Sequence, residues 1–291
     1  FAKNFLKAAP SAYANALSWY MWVALAARAI CPGVKADMSP IFISPKQGTG
    51  KSSMVMRLAL APDRSTALGI SELGTDNASR RMLGKTVVEF AEFKGHASRD
   101  DETIKAFLTT QFDEWVPKYR EFTTKYERRS LFFGTSNKLR ILRDPTGNRR
   151  WLPMGVAVTD THLDWPAMEA DNDYIKRQLY AEALAVIDTF PSPQAAVEHF
   201  AGPANYLAEE SRLAAMQLDP AFDRMRDYAN KIENLGSLSL VGLYTAVMKA
   251  GGADISGLHE GMRARIESAL VLLGYEAIPG SNNWKRVRPL L

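Results

Sequence analysis

The chain has 291 residues, of which 36 are Lys or Arg and 32 are Asp or Glu, giving a formal net charge of +4 at pH 7. With 46% hydrophobic residues and 23% charged ones, it has the balance of a soluble globular protein with room for one large domain or two modest ones, not of a disordered, collagen-like or disulfide-dense chain. Its single cysteine, Cys31, excludes an internal disulfide and a zinc cluster of ordinary spacing, which fits a reducing, cytoplasmic setting.

Residues 1–36 read as a helical lead-in. The stretch from Ala8 to Ala27 carries no charge and predicts a buried helix over roughly Ala12 to Ile30, closed by Pro32-Gly33. Pro10, Ser11, Asn15 and Ser18 interrupt it. Its strongly apolar part is shorter than the about 20 residues that a membrane span needs, so no membrane contact is expected. The chain begins with Phe1 and not Met, as expected of a piece of something longer, and no cleavable targeting signal is evident.

From 37 to 190 strands and helices alternate. Strands are expected at Ile41–Ser44, Thr86–Phe90, Leu131–Thr135 and Trp151–Val158, and helices at Ser52–Leu60, Asn77–Leu83, Asp101–Thr110 and Tyr174–Thr189. Such alternation argues for an α/β fold with a parallel-rich sheet and helices on both faces. The most informative segment is Ile41-Phe42-Ile43-Ser44-Pro45-Lys46-Gln47-Gly48-Thr49-Gly50-Lys51-Ser52. An apolar strand feeds a tight turn that ends in Gly-Lys-Ser and opens a helix, the pattern of a phosphate-binding loop. Gln47, Gly48, Thr49, Gly50, Lys51, Ser52 and Ser53 are the candidate nucleotide contacts. Gly48 and Gly50 let backbone N–H groups approach the phosphates, Lys51 reaches the β and γ phosphates of ATP, and the Ser52 hydroxyl takes Mg²⁺. Pro45 stands where the usual first glycine would be; the part that grips phosphate is intact.

Hydrolysis also needs a carboxylate. Thr86-Val87-Val88-Glu89-Phe90-Ala91-Glu92-Phe93 is a β-branched strand ending in acid. Glu92, just past the strand end, is the favoured catalytic carboxylate; Glu89, within the strand, is kept as a Mg²⁺-shell or supporting alternative, or as a structural acid. Asn137, at the end of the next strand, can hold the attacking water or contact the γ-phosphate, or can be a turn residue. Arg149 and Arg150 close Asp144-Pro145-Thr146-Gly147-Asn148-Arg149-Arg150. On a tight turn, either can neutralise transition-state charge, as an arginine finger from a neighbouring copy; either can also be a surface basic residue or a DNA-phosphate contact.

After Phe190-Pro191-Ser192-Pro193 a helical linker is expected over 191–220, then a separate unit over 221–291. The tail reads as a helix (Phe222–Glu233), a short strand (Leu238–Leu240), a helix (Val241–Ala250), a longer helix (Leu258–Leu273), and two strands within Tyr275–Arg288. That is the plan of a winged helix.

Gln47-Gly48-Thr49-Gly50-Lys51-Ser52, Val87 to Phe93, Ile104 to Leu108, Phe133-Gly134-Thr135-Ser136-Asn137 and Leu142 to Trp151, in that order and preceded by Pro32 to Asp37, resemble the virulence-associated E (VapE) family over roughly residues 25–160. That family groups with superfamily 3 helicases and with phage or plasmid primase-helicases. The resemblance implies a P-loop AAA+ ATPase core over 37–190 that forms a ring, often a hexamer, and moves along DNA, single-stranded or forked, with a primase domain or protein as a further partner. By motif match, Lys51 and Ser52 take the nucleotide and metal roles, Glu92 the second acidic position of its strand, Asn137 the sensor position, and Arg149 or Arg150 the finger. Ala91 replaces the first acid of that strand, which bears on the rate of turnover and not on ATP binding.

Trp115 to Arg129 interleaves basic and aromatic residues, and superfamily 3 relatives carry a channel hairpin there. Lys118, Tyr119, Arg120 and Lys125 are the candidate DNA contacts, since charge holds phosphates and rings stack on bases; a solvated hairpin with paired charges is the plainer alternative. In the tail, Arg263 and Arg265 fall on the expected recognition helix, and Lys285 and Arg286 on the wing; a protein-docking role is equally open. The expected function is an ATP-driven DNA helicase or replication motor of a phage or mobile element. The alternative is a nucleotide-gated DNA-binding or loading module that does not unwind.

Overall fold

Five short runs, most of them β-branched or aromatic, assemble into one parallel sheet. In chain order the first unit contains α1 (Ala12–Ile30), β1 (Ser39–Ile43), α2 (Lys51–Arg57), β2 (Ser65–Leu68), α3 (Asp76–Met82), β3 (Val87–Phe90) and α4 (Ser98–Thr109). There follow β4 (Phe112–Trp115), β5 (Thr124–Glu127), β6 (Leu131–Ser136), β7 (Trp151–Gly155), α5 (Ala170–Ile187), α6 (Pro193–Leu207) and α7 (Glu209–Ala215). The computed structural model describes residues 1–90, 98–116, 121–142, 148–160, 162–216, 237–239, 243, 267, 270, 275–281 and 283–287, and at 98–103, 237–239 and 286 the backbone alone. Residues 1–215 form one compact unit and 216–291 a second.

The sheet order is β2-β3-β6-β1-β7, and all four neighbouring pairs are parallel. Every strand therefore ends on the same edge. β6 lies between β1 and β3, so its last residues stand between the C-terminal ends of those two strands. Parallel sheets are covered on both faces. Phe42, Val87, Phe133 and Leu152 join one large core with residues of α1, α2, α5 and α6. On the other face Phe132 stacks on Phe90 at 5.4 Å and meets Phe107 of α4 edge-on at 5.5 Å. The sequence expectation of a mixed α/β fold with a parallel central sheet holds.

α1 forms where expected. Ser11 caps it by accepting from the Ala14 N–H at 3.0 Å, and the run from Tyr20 to Arg28 is buried. Each large apolar side chain so covered stabilises the fold by about 1.5–3 kcal/mol. Its polar groups are tied to the segment leading into β1 and to the turn before β6. The Tyr20 hydroxyl donates to the Met38 carbonyl at 3.0 Å, and Arg28 donates to the carbonyls of Val34 and Ser130. Burial lowers the Arg28 pKa to about 10. α1 packs on α5 and α6, so residues within the expected lead-in (1–36) and linker (191–220) lie in one unit with the sheet.

Most boundaries shift by one to three residues from expectation, β1 starting at Ser39 and α4 at Ser98, and three of the differences have a plain cause. α2 stops at Arg57 rather than Leu60, because the Leu58 N–H turns to the Val55 carbonyl and the Leu58 carbonyl accepts from the Tyr180 hydroxyl at 2.9 Å. β7 stops at Gly155 rather than Val158, because the N–H groups of Ala157 and Val158 leave the sheet for the carbonyls of Leu6 and Lys7. α5 is assigned from Ala170, but Asp171–Asp173 have left-handed dihedrals, so its regular part begins at the expected Tyr174. Strands β2, β4 and β5 are not among those expected from the sequence.

In the second unit, β8 (Ser237–Ser239), β9 (Tyr275–Ala277) and β10 (Asn283–Arg286) form an antiparallel sheet of order β8-β10-β9 around a buried Trp284. Leu243, Glu267 and Leu270 are helical; the rest of the three helices expected in the tail lies outside the described residues. Among the described residues, no helix is long and apolar enough to cross a membrane.

Candidate phosphate-binding site

The loop between β1 and α2 sits at the C-terminal edge of the sheet, at the point where neighbours lie on both sides of the first strand, the usual position of a ligand crevice in an open α/β sheet. Gly48 has φ +72° and Gly50, the residue before α2, φ +87°, conformations that glycine adopts without a Cβ clash. Pro45, Lys46, Gln47, Gly48 and Ser52 are exposed, Gly50 and Ser53 half-buried, and Thr49 and Lys51 buried.

The Lys51 ammonium bridges the loop and the end of β6. It donates to the Asn137 side-chain oxygen at 2.7 Å, the Lys46 carbonyl at 3.1 Å, the Thr49 hydroxyl at 3.2 Å and the Ser44 carbonyl at 3.4 Å. Burial pulls its pKa below the ordinary lysine value. All four acceptors are neutral. A buried cation gains most from an opposite charge, so an incoming phosphate can displace these oxygens where a carboxylate partner would resist. Two residues 86 positions apart, singled out for the same site, are thus in direct contact.

Glu89 is buried at 2% exposure on β3, and its carboxylate accepts from the Thr135 hydroxyl of β6 at 2.7 Å. Its described partner is a hydroxyl and not a cation. Val87 and Phe133, two residues before this pair on their strands, belong to the core that includes Met54 and Val55 of α2, so Glu89 and Thr135 lie on the α2 side of the sheet. Glu92 lies outside the described residues. Among the described residues no group of three His, Cys, Asp or Glu side chains that could hold a metal occurs; of the sequence candidates for Mg²⁺, Ser52 and Glu89 are described and Glu92 is not.

The two arginines lie at the other edge. Asn148–Arg150 is a 3₁₀ turn leading directly into β7, and Trp151 is in register with Ser39, the first residue of β1. The loop follows the last residue of β1, so the arginines are a full strand length, about 17 Å, from their own chain's loop. They also differ from each other. Arg149 is exposed, whereas Arg150 is mostly covered and forms an ion pair with Asp37 at 3.7 Å. Arg212 of α7 grips the backbone of this turn, donating to the Trp151 carbonyl at 2.9 Å and the Arg149 carbonyl at 3.2 Å.

The hairpin β4–β5 also springs from that second edge, between α4 and β6. Arg128 pins its base, pairing with Asp113 and covering the Phe107 ring at 4.4 Å. Trp115 stacks on Tyr126 at 4.6 Å. Lys125 is exposed with its ammonium 3.6 Å from the Phe112 ring centre, and Phe122 is 79% exposed in the connecting loop. Lys118, Tyr119 and Arg120 lie outside the described residues, as do Arg263 and Arg265. Lys285 is exposed on β10 and Arg286 is the last residue of that strand.

The virulence-associated protein E-like domain model matches residues 1–210. The chain belongs to this family. The match takes in α1, α5 and α6 as well as the sheet, and so extends beyond the 25–160 covered by the motifs. No curated protein matches the chain. Among solved structures, it is similar to the A-form apo structure of the NrS-1 C-terminal region (residues 305–718), with a TM-score of 0.45, 12% identity, and 96% of this chain and 75% of that one covered. A second apo structure of that region gives 0.43 and 13%, covering 89% of this chain and 61% of that one. A further A-form apo structure gives 0.39 and 15%, covering 90% and 65%. In the last two the VapE-like chain spans less than two thirds of the solved chain.

Sequence reasoning had not singled out Trp165, Arg57, Thr135, Asp37 or Arg212. Each acts through a partner distant in sequence; the one local signal was the indole itself, a large aromatic just outside the sheet.

Proposed function

We propose that this VapE-like chain is an ATP-dependent motor of phage or mobile-element DNA replication, with an AAA+ core related to superfamily 3 helicases. The observation that carries the reading is the Lys51–Asn137 contact, 2.7 Å long, within a loop of phosphate-binding sequence. It joins a phosphate-seeking cation to the polar residue best placed to sense a γ-phosphate. In this reading the loop from Gln47 to Ser53 holds the triphosphate, Ser52 takes Mg²⁺, and Glu92 polarises the attacking water with Glu89 as support.

The finger must come from a second copy, because the arginines stand at the opposite edge from their own loop. Of the two, Arg149 suits the role. Its side chain is exposed and its backbone is held by Arg212, while Arg150 is occupied by Asp37. A ring of copies, a hexamer in the simplest case, supplies such interfaces all round. The exposed Phe122 and Lys125 of the hairpin fit contact with single-stranded DNA through stacking and phosphate charge.

The test is ATP hydrolysis with and without single-stranded DNA. Wild type hydrolyses ATP faster with DNA, and Lys51→Ala and Arg149→Ala each fall to background. An equal mixture of the two variants regains roughly a quarter of wild-type activity, since about one interface in four combines an intact loop with an intact finger. No recovery at any ratio counts against a finger in trans. DNA-stimulated hydrolysis without strand displacement in the assembled state favours the loading-module alternative.

A further inference from the structure

The segment after β7 holds the phosphate loop from behind. The Leu163 N–H donates to the Thr49 carbonyl at 2.9 Å. Two residues on, the Trp165 indole lies against Gly50 so closely that a Cβ there would sit 2.6 Å from its Cδ1 and 2.9 Å from its Nε1. The indole is itself fixed. Arg57, at the far end of α2, places its guanidinium 4.2 Å from the ring centre and forms an ion pair with Glu169 at 3.0 Å. The Tyr180 hydroxyl then bonds to the Leu58 carbonyl. The stretch from Leu163 to Tyr180 thus fastens both ends of the seven-residue helix that begins with Lys51. At its back it is held by the N-terminal segment, whose Phe5 carbonyl accepts from the Asp164 N–H at 2.9 Å.

Gly50 precedes Lys51 directly, so its position sets where the Lys51 backbone N–H and ammonium point. A left-handed glycine is the least constrained residue in the chain, yet here an aromatic wall blocks one side of it. We infer that Trp165 is a positioning residue for the nucleotide site: by packing on Gly50 it holds the phosphate loop in its binding shape, and Arg57 and Glu169 hold Trp165. The inference rests on the nucleotide reading above. It assigns Gly50 a second constraint besides its dihedral, since an added methyl would collide with the indole even if the backbone tolerated it.

The experiment is a double-mutant cycle on nucleotide affinity, using the full chain and a fluorescent ATP analogue, with the thermal midpoint of the nucleotide-free protein measured in parallel. Trp165→Ala weakens binding by about tenfold or more, as a shift of an ångström in a positioning group does, while Trp165→Phe keeps most of the affinity. Gly50→Ala weakens binding in the wild-type background and adds a clearly smaller loss on top of Trp165→Ala, because the collision has been removed. If Trp165→Ala does not fold, the same cycle is run with Trp165→Val, whose side chain has no atom at the Cδ1 or Nε1 position. Affinity unchanged in a folded Trp165→Ala protein, or losses that simply add, overturns the inference. Absence of saturable binding by the wild type overturns the nucleotide reading itself, a distinct outcome.

Discussion

The two edges of the central sheet are built from the same five strands and are chemically opposite. At the C-terminal edge the backbone is glycine-rich, the key cation is buried, and Lys51 rests on neutral oxygens with no described carboxylate beside it. At the N-terminal edge some cations face outward: Arg149 is exposed and the hairpin presents Lys125 beside Phe122, while Arg150 is parked on Asp37. One edge can receive an anion and the other can offer positive charge to one. Because the strands are parallel, a single chain cannot fold the second edge onto the first, which is the physical reason that the proposed motor needs at least two copies.

The sharpest way to break this contrast is to compare the adjacent arginines. Arg149→Ala lowers the rate of ATP hydrolysis by about a thousandfold at unchanged ATP affinity, the typical scale of a lost finger. Arg150→Ala leaves hydrolysis within a few fold of wild type and lowers the thermal midpoint, because it strips the mostly covered Asp37 carboxylate of its cation. Steady-state kinetics and thermal melts read both. The reverse pattern would move the finger to Arg150 and make the Asp37 pair a resting position.

Much of the first edge was legible in the sequence because its information is local. A strand, a glycine turn and Gly-Lys-Ser occupy twelve consecutive residues, and the buried strands β1, β3, β6 and β7 each carry a short apolar run. β2 escaped because Ser65-Thr66-Ala67-Leu68 is half-buried at the sheet margin and carries no hydrophobic pattern. β4 and β5 escaped for a related reason: Phe112–Trp115 and Thr124–Glu127 hold acidic and basic residues on a ribbon with little cover, so they registered as a charged, aromatic stretch. The Trp165 contact with Gly50 spans 115 positions and the Thr135 contact with Glu89 spans 46. No spacing rule encodes such pairs. They exist because crossover connections bring distant strand ends to one edge.

Asn137 sharpens the comparison from within the first edge. It is exposed, yet it is the closest acceptor of the buried Lys51 ammonium. Asn137→Ala lowers turnover by about a hundredfold, the scale for one lost polar contact to a transition state, with a much smaller change in ATP affinity because three other oxygens still hold Lys51. Equal losses in affinity and turnover would make Asn137 a binding group and not a sensor.

A smaller effect separates structure from chemistry at Glu89. Thr135→Val removes the hydroxyl that donates to the buried carboxylate. Leaving such a group unsatisfied costs about 1–3 kcal/mol, which lowers the thermal midpoint by several degrees in a unit of this size. If Glu89 is only structural, hydrolysis at low temperature is unchanged; if it supports Mg²⁺, the Mg²⁺ concentration for half-maximal activity rises as well.

The smallest effect concerns pH and has two opposite signs. Burial lowers the Lys51 pKa in the folded chain, so between that value and the ordinary lysine value of about 10.4 the unfolded chain binds more protons than the folded one. Stability of the nucleotide-free protein therefore rises with pH through this window, as the cost of holding a buried ammonium is relieved. In the proposed function triphosphate binding uses that same ammonium, so affinity is expected to fall through the same window, at lower pH than an exposed lysine would dictate. Thermal melts and titrations across that range read both slopes on one sample. Lys51→Met removes both. A stability slope that survives the substitution would assign it to other alkaline groups, such as the buried Arg28, whose lowered pKa acts in the same direction, while the affinity slope would still belong to Lys51.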